Sequence, residues 1–109
     1  MPTTTIIDAV RTPIGRFGGG LLEYSAGGLA ALVVRALMER NDIPPDQVDE
    51  VFFGQVIQGG SDGNLARKAA IAAGLPVSVC GVTVNMACAS GMRAIDMARR
   101  NIEDPRVEF

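Results

Sequence analysis

The cysteine at position 88 is the residue of this sequence whose surroundings best suit covalent chemistry. It follows a short β-branched run, residues 81–85, and precedes a segment whose apolar residues recur at three- and four-residue spacing. This pattern predicts a strand and then a helix that begins near Cys88. At a helix N-terminus, unpaired N–H groups and the positive end of the helix dipole favour the nucleophilic thiolate, and the same groups can hold an oxyanion. We therefore predict that Cys88 is a nucleophile and that backbone N–H groups beside it are oxyanion donors.

The other candidate features are weaker. Cys80 precedes the predicted strand, so we interpret it as a small apolar filler without a catalytic role, and the extended run between the two cysteines would carry their thiols beyond disulfide reach. Residues 59–63, Gly-Gly-Ser-Asp-Gly, precede a predicted helix as a phosphate cradle would, but they lack both a Walker lysine and the Gly-x-Gly-x-x-Gly register, so a plain turn is favoured. With no histidine and no CxxC pair, we expect no metal site.

Two groups of side chains lie close to Cys88 in the sequence. Met86 and Met92 are interpreted first as flexible core fillers, and second as the lining of an acyl pocket beside the nucleophile. Charged residues of the following helix are interpreted as a solvated face. These are Arg93, Asp96, Arg99 and Arg100.

The remaining sequence alternates between strand and helix patterns. Residues 3–10, 50–57 and 81–85 are predicted strands, and the intervening helices begin at the N-caps Ser25 and Asn64. The order βαβαβα predicts an α/β fold with a mainly parallel sheet. Helix 64–73 carries so much small apolar surface that we expect one chain not to bury all of it.

Length and charge bound the possibilities. A chain of 109 residues can bury one modest core, and its formal charge of −2 comes from scattered acidic and basic residues, which does not indicate a nucleic-acid groove. No signal-peptide pattern or apolar run of membrane-spanning length is present. The expected protein is cytoplasmic, with reduced thiols and with neither a nucleic-acid nor a membrane partner.

The segment VNMACASGMRAI, residues 84–95, resembles the nucleophile segment of thiolases, the acyl-CoA C-acyltransferases. Three further segments resemble thiolases in the same order: residues 11–19, residues 54–58 and residues 64–76. The departures are mild, since Leu65 stands where many members have proline, and Met86-Ala87 replace other residues before the nucleophile. They leave the subfamily open.

The resemblance implies a fold, a reaction and a missing part. The fold is the N-terminal part of a layered αβαβα architecture, and residues 1–109 are expected to be a partial thiolase N-terminal domain that lacks the loop domain and the C-terminal half. The reaction forms or cleaves 3-ketoacyl-CoA through an acyl-enzyme on Cys88, with coenzyme A thioesters as substrates and no permanently bound cofactor. The family supplies a histidine and a second cysteine from its C-terminal half, so residues 1–109 alone are expected to be inactive.

The resemblance also implies a role in fatty acid metabolism and a homodimer or homotetramer whose small-molecule partners are acyl-CoA and CoA. Two alternatives stay open from the sequence. One is a related condensing enzyme, either ketoacyl-synthase-like or a lipid-transfer-linked thiolase-like protein. The other is a non-catalytic truncated product.

Overall fold

The structure is a computed structural model that describes residues 3–60 and 63–107, and within them it shows helices on both faces of a parallel pair of strands. The predicted α/β class with a parallel sheet is confirmed. Along the chain the elements are α1 (Ala26–Arg40), a 3₁₀ helix (Pro45–Gln47), β1 (Glu50–Gly54), α2 (Leu65–Ala72), β2 (Cys80–Val84) and α3 (Ser90–Glu103).

The strands β1 and β2 pair in parallel, in a register that runs from Glu50 opposite Cys80 to Gly54 opposite Val84. Alternate residues of a strand face opposite sides of a sheet. Val51 packs in the core against α2, whereas Glu50 accepts a 2.6 Å hydrogen bond from the side chain of Asn101 in α3. The helices α1 and α2 therefore cover one face of the sheet, and α3 covers the other.

The core is centred on the alanines of α2. Ala66, Ala69 and Ala70 have no exposed surface, and they pack with Val51 and with residues of α1. These three alanines are covered because α1 lies directly against α2 and small side chains permit that close approach. Ala72 of the same helix stays exposed, so the expectation that one chain would not bury all of this surface holds for Ala72 but not for these three. The buried alanines therefore give no argument for self-association.

Local side chains set the helix ends largely as predicted. The Ser25 hydroxyl accepts a 3.0 Å hydrogen bond from the Gly28 N–H, and the Asn64 side chain accepts one of 3.3 Å from the Arg67 N–H. Gly74, with φ +91°, follows the end of α2 in the left-handed region that glycine favours. No helix among the described residues has both the length and the hydropathy needed to cross a membrane.

The predicted first strand is absent. Residues 3–10 have no partner strand in the described part of the chain, and Ile6 and Ile7 are 75% and 78% exposed. Asp8 instead ties this segment to the end of α1, through a 2.9 Å hydrogen bond from Asn41 and an ion pair with Arg40. The Asn41 hydrogen bond is the largest of the causes that hold the pKa of the Asp8 carboxyl below its usual value.

Another predicted strand is shorter than expected. The strand predicted over 50–57 ends at Gly54, since pairing with β2 ends there. The helix predicted to begin near Cys88 begins two residues after it, which confirms that prediction. After Asp104-Pro105, the sequence Arg106-Val107-Glu108-Phe109 also predicts the start of a further strand. No strand is present at Arg106 and Val107, where the Arg106 guanidinium instead turns back onto Asp104. The rest of that predicted strand, residues 108–109, lies outside the described residues.

A glycine in β2 permits a contact that holds α2 against the sheet. A Cβ atom at Gly81 would lie 2.5 Å from the backbone nitrogen of Arg67. Because the clash is with helix backbone, no side-chain movement can relieve it. We expect Gly81→Ala to lower the free energy of unfolding by about 1–3 kcal/mol, measured by denaturant titration. The matched control is Gly27→Ala in α1, where the nearest atom would be 4.0 Å away and stability should stay the same or rise. Equal stability of the two variants would contradict this contact.

Candidate functional site

The two strands end side by side, and the residues that follow them form the candidate site. The Gln55 N–H donates a 2.9 Å hydrogen bond to the Val84 carbonyl, which extends the pairing by one step. Asn85 connects the segments that follow the two strands. Its side-chain nitrogen donates to the Val56 carbonyl at 3.3 Å, and its side-chain oxygen accepts from the Ala87 N–H at 3.1 Å. The segment that leads to Cys88 is thus fixed to the end of β1.

We call residues 85–90 the Cys88 turn. The Ala89 N–H donates to the Met86 carbonyl at 3.0 Å, and the Ser90 N–H donates to the Ala87 carbonyl at 3.1 Å. These successive turns overlap at Cys88, whose side chain is exposed. Ala87 has φ +46°, in the left-handed region, which costs a residue other than glycine about 1–2 kcal/mol. Other contacts must therefore hold the turn in this shape.

One of those contacts comes from Ser90, the first residue of α3. Its hydroxyl accepts a 2.9 Å hydrogen bond from the Met86 N–H and donates a 2.6 Å hydrogen bond to the Ala87 carbonyl. Ser90 is only 4% exposed. The hydroxyl therefore links the start of the helix to both residues that precede Cys88.

A second contact is the approach of β1 to the first turn of α3. A Cβ atom at Gly54 would lie 2.4 Å from the carbonyl carbon of Ser90 and 2.5 Å from the backbone nitrogen of Gly91. Only glycine permits this distance between a strand and a helix start. The end of the sheet thus supports the Cys88 turn from behind.

No side chain in the described part of the chain caps the N-terminus of α3 or neutralises the positive end of its dipole. Its N-cap, Ala89, offers no side-chain acceptor, and the first turn contains no acidic residue. Among the described residues, the N–H groups of Cys88, Gly91 and Met92 have no hydrogen-bond partner. Cys88 thus lies within four residues of free donors and at the end of α3 where the helix dipole is positive.

The structure tests what was predicted for Cys80 and for the two methionines beside Cys88. Cys80 is exposed at the start of β2, so its interpretation as an apolar filler is wrong, and both cysteines are free thiols. Met86, in the Cys88 turn, and Met92, in the first turn of α3, are 56% and 71% exposed, so neither fills the core. Their role as the lining of an acyl pocket stays a prediction.

The remaining candidate groups lie away from Cys88. A cavity of about 710 Å³ is lined by the starts of α1 and α2, by Gly59 and Gly60 and by Arg67, and residues 61–62 of the proposed turn lie outside the described residues. Three arginines surround the exposed side of Asp96, which confirms a solvated face. Among the residues that the structure describes, no group of three His, Cys, Asp or Glu side chains could hold a metal ion.

Three residues of this site were not predicted from the sequence. Gly54 carried a signal, because glycine inside an apolar strand often marks a close backbone approach. Asn85 carried another, because asparagine after a strand readily accepts a hydrogen bond from the N–H two residues later. Ser90 gave none, since a serine near a helix start is ordinarily expected as the N-cap, and here the N-cap is Ala89.

Comparisons with known proteins agree on one family. The β-ketoadipyl-CoA thiolase of Pseudomonas putida is 54% identical over 106 residues, which cover 95% of this chain and 26% of that protein. The acetyl-CoA acetyltransferase of Cupriavidus necator is 45% identical over 102 residues, which cover 94% of this chain and 26% of that protein. The chain thus spans about a quarter of the length of these relatives.

The fold comparison agrees. The crystal structure of the Acat5 thiolase from Ascaris suum in complex with coenzyme A matches with a TM-score of 0.83 and 36% sequence identity, over 86% of this chain and 25% of that chain. The sequence profile of the family described as thiolase, N-terminal domain, matches residues 4–108. The chain, with its parallel strands and its cysteine turn before α3, belongs to the thiolase family.

Proposed function

We propose that this chain carries the nucleophile of an acyl-CoA C-acyltransferase that forms or cleaves 3-ketoacyl-CoA, and that the nucleophile is Cys88. The observation that carries the proposal is the exposed Cys88 thiol in a fixed turn at the uncapped N-terminus of α3. The names of the relatives, which are thiolases and acetyl-CoA acetyltransferases, support the reaction class.

The first half-reaction forms a thioester on Cys88. In the degradative direction, the Cys88 thiolate attacks the ketone carbon of a 3-ketoacyl-CoA, and the electron pair of the carbonyl moves to its oxygen. When this oxyanion collapses, the carbon–carbon bond breaks and acetyl-CoA leaves as its enolate, which takes up a proton. In the biosynthetic direction the thiolate attacks an acyl-CoA thioester and CoA leaves. Both give acyl-Cys88, and a polarisable thiolate both attacks and leaves well.

Backbone N–H groups are available as hydrogen-bond donors to the carbonyl oxygen that becomes negative in this step. Because the Ala89 and Ser90 N–H groups are engaged within the Cys88 turn, the oxyanion would be held by the free N–H groups of Cys88 and of the first turn of α3. Fixed donors stabilise such charge without reorganisation during the reaction. The sequence predicted backbone donors at this turn, and the hydrogen bonds indicate which groups stay available.

The second half-reaction transfers the acyl group to CoA or to the carbanion of acetyl-CoA, and it requires proton transfers. A general base must activate the thiol, and a general acid or base must handle the α-proton of acetyl-CoA. The 109 residues contain no histidine. We propose that these groups come from the parts of a longer thiolase that this chain does not span, and that residues 1–109 alone are inactive.

Coenzyme A thioesters are the proposed substrates, supported by the coenzyme A complex of the Ascaris suum thiolase. No permanently bound cofactor enters the mechanism. The cytoplasmic location, the homodimer or homotetramer and the role in fatty acid metabolism stay predictions. The homo-oligomer now rests on the family resemblance, since the three buried alanines of α2 are covered within the chain.

Acyl labelling should distinguish the two cysteines. Cys80 and Cys88 are both exposed free thiols, so exposure alone would label both, whereas the proposed chemistry should label Cys88 only. The measurement is incubation of the protein, expressed from its complete reading frame, with acyl-CoA, followed by acid quenching and peptide mass mapping. An acyl group on Cys80, or on neither cysteine, would remove the nucleophile assignment.

Turnover should depend on the sulfur of Cys88. We expect thiolysis of acetoacetyl-CoA by CoA, or of longer 3-ketoacyl-CoA substrates, and we expect Cys88→Ser to lower kcat by at least about a thousandfold, because a hydroxyl is poorly ionised in this site. Cys80→Ser is the matched control and should stay active. Neither thiolysis nor condensation by the wild type with any of these substrates would favour a ketoacyl-synthase-like or non-catalytic protein.

A further inference from the structure

Ser90 is unusual among the polar residues of this chain because it is buried. Of the residues that the structure describes, it is the one polar side chain in the buried class, at 4% exposure. It lies between the exposed Cys88 and the face of α3 that packs against β1. A buried hydroxyl that lacked partners would destabilise the fold, so its partners indicate what it is there to hold.

Both partners of the Ser90 hydroxyl belong to the residues just before Cys88. The oxygen accepts from the Met86 N–H at 2.9 Å, and the hydroxyl donates to the Ala87 carbonyl at 2.6 Å. The single donor of a serine hydroxyl is therefore used, and one of its acceptor positions is filled. Neither bond helps to cap α3, whose N-cap makes no side-chain hydrogen bond.

The effect of these bonds is to fix an unfavourable backbone conformation. Ala87 has φ +46°, and the two peptide groups beside it are held by Ser90 on one side and by the Asn85 side-chain oxygen on the other. The close approach of Gly54 to the backbone of Ser90 keeps the helix start from moving away. The direction in which Cys88 leaves the turn thus depends on the Ser90 hydroxyl.

We propose that Ser90 is a positioning residue for Cys88. Its hydroxyl holds the peptides of Met86 and Ala87 so that the Cys88 sulfur stays in front of the free N–H groups at the start of α3. Ser90 does not touch the substrate and transfers no proton. This role rests on the proposed function, because it gives the orientation of Cys88 a purpose only if Cys88 is the nucleophile.

The test compares the reactivity of the two cysteines in one molecule. In the wild type, expressed from its complete reading frame, iodoacetamide should alkylate Cys88 faster than Cys80, measured by peptide mapping across a range of pH. Ser90→Ala should lower the Cys88-to-Cys80 rate ratio and kcat by about tenfold, with little change in KM. The variant loses the hydrogen bonds that hold the turn, and the free energy of about one hydrogen bond corresponds to a change in rate of this size.

The matched control is Thr83→Val. The Thr83 oxygen accepts a 3.0 Å hydrogen bond from the Ala66 N–H and its hydroxyl pairs with Asn64 at 2.6 Å, so it makes the same number of hydrogen bonds as Ser90, but at the start of α2. Removal of this hydroxyl should cost similar stability and leave the Cys88-to-Cys80 rate ratio and kcat unchanged. A general loss of stability would affect both variants alike.

A folded Ser90→Ala protein with the wild-type alkylation ratio and kcat would overturn the role of Ser90. If that variant does not fold, amide hydrogen exchange of the wild type decides, since the Met86 N–H should exchange more slowly than the unpaired Cys88 N–H. Equal exchange would overturn the proposal.

The proposed function fails separately. A wild type in which acyl-CoA labels neither cysteine removes that function, and the role of Ser90 with it. Labelling at Cys88 together with unchanged Ser90→Ala reactivity removes only the role of Ser90.

Discussion

The close approach of strand backbone to helix backbone is the contact on which the rest of this structure depends. It occurs where Gly81 of β2 meets the first turn of α2, and where Gly54 of β1 meets the first turn of α3. In each place even a methyl group would collide with backbone atoms. Because the two helices start from opposite faces of the same strand pair, these glycines fix the spacing of the layers and the position of the Cys88 turn.

The Cys88 turn combines an unfavourable backbone conformation with the contacts that hold it. Left-handed Ala87 costs about 1–2 kcal/mol, and the hydrogen bonds that Asn85 and Ser90 make with the turn offset that cost at about 1 kcal/mol each. The result is an exposed thiol at the start of a helix in which the Gly91 and Met92 N–H groups are free. Backbone strain that the surrounding structure maintains is typical of functional sites, since it holds a reactive group in a fixed direction.

The sequence predicted the features that short-range chemistry decides. Ser25 and Asn64 cap their helices through bonds to residues three positions away, and such bonds can be read from neighbouring residues. The strand over residues 3–10 was predicted wrongly, because a strand needs a pairing partner that composition does not reveal. Cys88 was found from its context. The Ser90 hydroxyl bonds to the nearby Met86 and Ala87, but a serine at this place is ordinarily expected as an N-cap, so its role was not predicted. The partner of Gly54 lies 36 positions away, at Ser90, so the sequence could mark a close approach at this glycine but not what it meets.

The central proposal is that negative charge on the oxygen of an acyl group at Cys88 is held by the free N–H groups at the start of α3. The most direct measurement is a crystal structure of the protein, expressed from its complete reading frame and trapped as an acyl-enzyme. We predict an acyl group on the Cys88 sulfur whose carbonyl oxygen lies about 2.7–3.1 Å from the N–H nitrogen of Cys88 or of a residue in the first turn of α3. A carbonyl oxygen directed away from all of these groups, or an acyl group on another residue, would contradict it.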